Sequence, residues 1–187
     1  AGILVHPMNS DPFVEPINRA IEQGTAVVTF AADSPNSNRI SYITSDNIAE
    51  GTYAADAVAE DMGGKGEYAV LENPGQDNHD KRVAAFIARM DSNWPDMELV
   101  GRAASNQDPA KAYQAMLSLI QANPDLGAVF MPEANSAIGA AQASKENGGK
   151  VRVMLADVNE NILDMIKAGE IFGSVNSLDA PPRPPRL

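Results

Sequence analysis

Cysteine is absent, which removes both a disulfide framework and any thiolate metal site. That absence suits a bacterial envelope protein and a cytosolic one alike. Histidine is scarce too: His6 and His79 stand alone and far apart, so no histidine-built metal site is expected. Positive charge is in short supply, with 14 Lys and Arg against 25 Asp and Glu and a formal net charge of −11. Such a balance argues against a nucleic acid or an anionic membrane as partner, since either needs a basic face. No apolar run approaches the ~20 residues of a membrane span. The chain opens Ala-Gly-Ile-Leu-Val with neither Met nor a basic leader, which reads as a cut within a longer protein.

Signs of catalysis and of a cofactor are also missing. An enzyme needs a placed nucleophile, or a base with an orienting partner, or a phosphate-cradling loop. The Gly-rich GGKG at residues 63–66 lies between a helix end and a strand start. A phosphate-binding loop lies the other way round, after a strand and before a helix. Neither catalytic residues nor a cofactor are therefore expected.

What is present, across 187 residues that are 44% hydrophobic, is enough for one large domain or two small ones with a real core. Organisation centres on residues 26–47, AVVTFAADSPNSNRISYITSDN. A buried strand (AVVTF) is followed by a polar, turn-forming lip, a second extended run (ISYIT) and a new helix. A chain that crosses between two lobes, here over residues 41–46, has this pattern.

Strand and helix alternate throughout. GILVH at residues 2–6 reads as a buried strand, and Asp11-Pro12 as a helix opening with Phe13, Ile17, Ala20 and Ile21 inward. After the crossing, Ile48, Gly51, Ala55, Val58, Ala59 and Met62 form a helical face. EYAVLE (67–72), MELVGRA (97–103), GAVFM (127–131), VRVML (151–155) and IFGSV (171–175) read as strands. The helices between them turn Val83, Ile87, Met90 and Trp94, then Ala112, Met116, Leu119 and Ile120, then Ile138 and Ala141, then Ile162 and Ile166, toward the core. This alternation specifies an α/β fold with doubly wound parallel sheets. Only the tail APPRPPRL (180–187) departs from it, favouring polyproline II.

Ligands of doubly wound sheets bind outside the carboxyl ends of the strands. Those ends carry Asn9, Asp33, the run at 73–80, Ser105, Asn106, Glu133, Asn135, Asp157 and Asn159. Carboxylates and amides of this kind suit a polyol, because they accept from and donate to several hydroxyls at once. Asp33 could instead shape the turn before Pro35, and Glu133 could cap the helix after it.

The ordered series VVTF, DSP, Arg39, YITSDN and an amphipathic helix resembles the periplasmic sugar-binding proteins of ABC transporters, the ribose-binding-like type I family. The resemblance runs from Gly2 to about Val175. It implies a two-lobed fold: a partial first lobe at 1–44, a nearly complete second lobe at 45–176, then a crossing remnant and Pro-rich tail at 177–187. It implies a receptor that takes a sugar or polyol between its lobes and hands it to an ABC transporter permease. Such a receptor is periplasmic or a cell-surface lipoprotein, and a monomer at full length. Carried over residue by residue, the implied ligand residues are Asp33, Asp80, Arg82, Glu133, Asn135, Asp157 and Asn176. Departures are visible. The family's ligand Asp after the VVTF strand is Ala31, its sugar-contacting Arg before Arg82 is Asp80, and Glu133 stands where ribose-binding proteins have Asn. The unit that supplies the family's aromatic pair is absent. The same fold serves LacI-type regulators and sugar or autoinducer sensors. Those usually carry a GHRRI-like turn where this chain reads MGGKGEYAVLE.

Overall fold

The computed structural model describes residues 1–176, whose strands form two separate parallel sheets. β1 (Gly2–Val5), β2 (Ala26–Phe30) and β3 (Ser41–Ile43) build the first, in that order. β4 (Lys65–Glu72), β5 (Asp96–Ala104), β6 (Leu126–Met131), β7 (Arg152–Ala156) and β8 (Gly173–Val175) build the second, in the order β5-β4-β6-β7-β8. AVVTF and EYAVLE thus belong to different sheets, as a two-lobed type I architecture requires. The chain leaves the first sheet later than its sequence suggests. Residues 41–43 still pair with β2, Ala31 N–H donating to the Ile43 carbonyl at 2.9 Å, so only the residues from Thr44 onward are free to cross.

Among the described residues six α-helices connect the strands: α1 (Val14–Glu22), α2 (Asn47–Asp61), α3 (Asp77–Asn93), α4 (Pro109–Ala122), α5 (Asn135–Glu146) and α6 (Glu160–Lys167). Asp46, Asp108 and Asn159 cap α2, α4 and α6 by accepting first-turn N–H groups. The Asp11-Pro12 opening forms a short 3₁₀ turn, and the α-helix begins at Val14. The polar lip expected at 73–80 is shorter, because Asp77 already starts α3.

The core lies on both faces of the second sheet. Alternation along β4 sends Tyr68 and Val70 to one face, with Val58, Phe86 and Phe130, and Ala69 and Leu71 to the other, with Met116, Leu155 and Ile162. Phe86 and Phe130 stack with ring centroids 4.3 Å apart. Each such side chain contributes about 1.5–3 kcal/mol by leaving water.

Three expectations fail for physical reasons. Ile48 and Ile138 are exposed, not inward. The helix faces that pack are built from small residues: a Cβ on Gly51 would collide with the Arg82 carbonyl, and one on Gly139 with the Pro109 carbonyl. Backbones that approach this closely leave no room for a branched side chain. β1 is not a buried strand either. It is the sheet edge, with Ile3 46% and Leu4 69% exposed, while Val27 and Thr29 on β2 are covered. Ser177, the far side of the second crossing, and the Pro-rich tail lie outside the described residues.

Candidate functional site

In the second sheet the order reverses at β4: β5 lies on one side of it and β6 on the other. The connections leaving β4 and β6 therefore diverge and open a crevice at their carboxyl ends. A cleft of about 520 Å³ lies there, closed on its other side by the carboxyl ends of the first sheet.

Arg82, on the second turn of α3, is the cleft's organising cation. Its side chain and that of Glu50 are each 6% exposed, and its Nε donates to Glu50 Oε2 at 2.5 Å. Nη1 donates to the Pro132 carbonyl at 2.8 Å, and Nη2 stands 3.1 Å from Asp157 Oδ1. Asp157 follows β7 in the left-handed region, at φ 71°. Its N–H donates to the Val175 carbonyl at 3.0 Å, and its own carbonyl accepts from Ser174 Oγ. A non-glycine residue held there by flanking bonds stores strain of a kind that clusters at functional sites. Its carboxylate is half exposed, at 48%.

Glu133 stands at the α5 N-terminus, where Oε2 accepts from Asn135 N–H at 2.6 Å and Oε1 from Ser136 N–H at 3.1 Å. A carboxylate is favoured at that end of the helix dipole. His79 forms the neighbouring wall. Its Nδ1 lies 3.1 Å from the Asn73 amide nitrogen and its Nε2 3.2 Å from that of Gln76, whose oxygen accepts from Gln107 at 3.1 Å. Burial, reinforced by the Arg82 guanidinium, pushes the His79 pKa down to about 3, so the ring is neutral.

The first sheet supplies a less polar wall. His6 and Phe30 lie at the ends of β1 and β2 with ring centroids 5.5 Å apart. Ala31 is left-handed at φ 58°, and its carbonyl accepts from Tyr42 Oη at 2.8 Å and Thr44 Oγ1 at 3.1 Å. The two sides touch at the rim. Ser10 N–H donates to the Gly75 carbonyl at 3.2 Å, and Lys81 Nζ lies 5.5 Å from the Tyr42 ring centre.

Of the residues named from sequence, Arg82, Glu133, Asn135 and Asp157 come together in the cleft. Asp33 does not join them. Its buried carboxylate accepts from both arms of Arg39, from Thr29 Oγ1 at 2.7 Å and from Ser34 N–H at 2.9 Å. That is the turn-shaping role. Asp80 faces a different groove, beside Glu72 and Arg102, and accepts from Gly75 N–H at 3.1 Å. Burial raises its carboxyl above the ordinary value, and Glu72 and Asp77 add to the rise. Asn176, the last described residue, follows β8 and is not in the cleft lining. Sequence reading missed His6, Phe30, Gln107 and Glu50. Gln107 adjoins the named strand-end residues Ser105 and Asn106, so position alone could have found it. Glu50 carries no local signal, because its role depends on Arg82 from another helix. Among the described residues no group of three or more His, Asp or Glu is placed to hold a metal ion.

Comparison with known proteins gives this cleft a context. The model of the periplasmic binding protein domain matches residues 1–179. The chain is 27% identical to the ribose import binding protein of Bacillus subtilis over 93% of its length and 56% of the relative's. It is 27% identical to the D-allose-binding periplasmic protein of Escherichia coli, over 93% of this chain and 59% of that one. Among solved structures, the arabinose binding protein AraP of Geobacillus stearothermophilus superposes with a TM-score of 0.79 at 30% identity, over 91% of this chain and 59% of that one. A solute binding protein of Agrobacterium vitis bound with α-D-tagatopyranose gives 0.85 at 27%, over 91% and 61%. The chain thus spans somewhat over half the length of the relatives it matches. With a matching model over nearly its whole length and the two-sheet fold to accompany it, the chain belongs to the periplasmic binding protein domain family, with the type I, ribose-binding-protein-like fold.

Proposed function

We propose that the chain is the ligand-binding part of a solute receptor that captures a sugar or similar polyol between its two lobes. The observation that carries this reading is the Arg82–Asp157 pair on the cleft floor, where a buried cation orients a half-exposed carboxylate toward the space between the sheets. A carboxylate so placed accepts from two vicinal hydroxyls, and Glu133, Asn135 and Gln107 add acceptors and donors around it. The lobes divide at residues 44 and 45, beyond β3, and Thr44 and Ser45 at that point also line the cleft. Relatives named for ribose and allose support the ligand class. By the same likeness the receptor works outside the cytoplasm, as a periplasmic or lipid-anchored monomer, delivers its ligand to an ABC transporter permease and catalyses nothing.

A thermal-shift panel of D-ribose, D-allose, L-arabinose, D-tagatose and xylitol tests this. Ligand at about a hundred times its dissociation constant adds ~2.7 kcal/mol of stability, a shift of several degrees. If neither these compounds nor other monosaccharides move the melting temperature, the sugar-receptor reading is wrong.

A further inference from the structure

The charge inventory of the cleft is lopsided. Glu133 and Asp157 line it and Glu50 stands behind, against the single guanidinium of Arg82. His79 contributes no positive charge, because burial keeps its ring neutral. That guanidinium is already engaged. Each nitrogen of Arg82 has a partner of its own, in Glu50, the Pro132 carbonyl and Asp157. On the neighbouring wall the amides of Asn73 and Gln107 donate to Gln76 Oε1, and His79 lies between the Asn73 and Gln76 amide nitrogens.

Acceptors, by contrast, remain. The Asp157 carboxylate is half exposed to the cleft. Asn78, on the first turn of α3, is 6% exposed, and its Oδ1 has no hydrogen-bond partner. Buried polar atoms are nearly always bonded, so an orphan acceptor in a binding wall marks a place where a donor belongs.

We propose that the preferred ligand is an amino sugar, or another ring polyol bearing an ammonium group, seated with that group toward the half-exposed carboxylate of Asp157. The inference rests on the sugar-receptor reading and narrows its substrate class. An ammonium brings three donors and no acceptor, which complements a half-exposed carboxylate and an unpartnered amide oxygen beside a cation that is already paired. Its hydrogen bonds to carboxylates are charge-assisted and roughly twice as strong as those of a neutral hydroxyl. A sugar phosphate or sugar acid meets the opposite situation, because it needs a guanidinium with a free edge and would face uncompensated carboxylates.

Isothermal titration of the 187-residue chain with matched compounds tests this. The series is D-glucose, D-glucosamine, N-acetyl-D-glucosamine, D-glucuronate and D-glucose 6-phosphate, with the corresponding D-galactose and D-mannose compounds. The expected result at pH 7 and low salt is that one amino sugar binds about tenfold or more tighter than its hydroxyl parent and its uncharged N-acetyl form. In Asp157→Asn, checked for folding by circular dichroism, that preference falls to within about threefold. Equal or tighter binding of the hydroxyl parent, or binding of the phosphate or the uronate, overturns the inference and leaves the sugar-receptor reading standing. If no compound binds here and none moves the melting temperature in the thermal-shift panel, both fall.

Discussion

Arg82 Nη2 lies 3.1 Å from Asp157 Oδ1 while Arg82 Nε holds Glu50 Oε2 at 2.5 Å, so one guanidinium ties the start of α3 to the end of β7 and to α2. The two carboxylates are unequal partners. Glu50 is buried, and Asp157 is half exposed. Breaking a buried pair by neutralising one member costs about 3–5 kcal/mol, because a charge is left without compensation. Glu50→Gln should therefore lower the melting temperature strongly. Asp157→Asn should change stability little, since Glu50 still compensates Arg82, yet weaken ligand binding by roughly tenfold or more. Denaturant melts beside titrations of both variants check this. Equal stability losses, or unchanged affinity in Asp157→Asn, would contradict it.

His79 sets a pH dependence. Its pKa is lowered from 6.5 to about 3, chiefly by burial, with the Arg82 guanidinium adding to the fall. Above pH 6.5 the ring is neutral in both folded and unfolded chains, and it adds no slope. Below 6.5 the unfolded chain takes up a proton that the folded chain refuses until about pH 3. Stability is thus lost as pH falls through that window, by up to about 1.4 kcal/mol per pH unit from this group. Urea melts between pH 7.5 and 5.5, above most carboxylate titration, should show the decline. In His79→Gln it should be flatter; an identical slope would refute the assignment.

Glycines at helix contacts should differ in tolerance. At Gly51 and Gly139 an added methyl meets backbone, the carbonyls of Arg82 and Pro109, which cannot move aside. At Gly127 it meets the end of the flexible Met62 side chain. Gly51→Ala and Gly139→Ala should each cost about 1–3 kcal/mol or more, and Gly127→Ala less. Equilibrium unfolding of the three variants ranks them.

Asp33 offers a control on the site assignment. Arg39 compensates its buried carboxylate, so Arg39→Ala should destabilise the first sheet by about 3–5 kcal/mol. Affinity measured well below the melting temperature should stay within about threefold. A selective loss of binding with stability preserved would return Asp33 to the ligand site.

Local pattern was enough for the element order. Alternating strand and helix signals and the strand-end positions of Glu133 and Asp157 are properties of neighbouring residues, so they were legible in the sequence itself. Periodicity also reported which faces are apolar, and it failed where close backbone approach overrode it. Ile48 and Ile138 point outward because Gly51 and Gly139 make the contacts. Tertiary structure alone decided which polar residues share a site. Asp33 and Asp80 have the same chemistry as Asp157, but Arg39 claims the first and the second faces another groove. Glu50, His6 and Phe30 acquire their roles only when separate elements meet. A carboxylate's role depends on the cation and the space that reach it, and those come from parts of the chain that a local reading treats as unrelated.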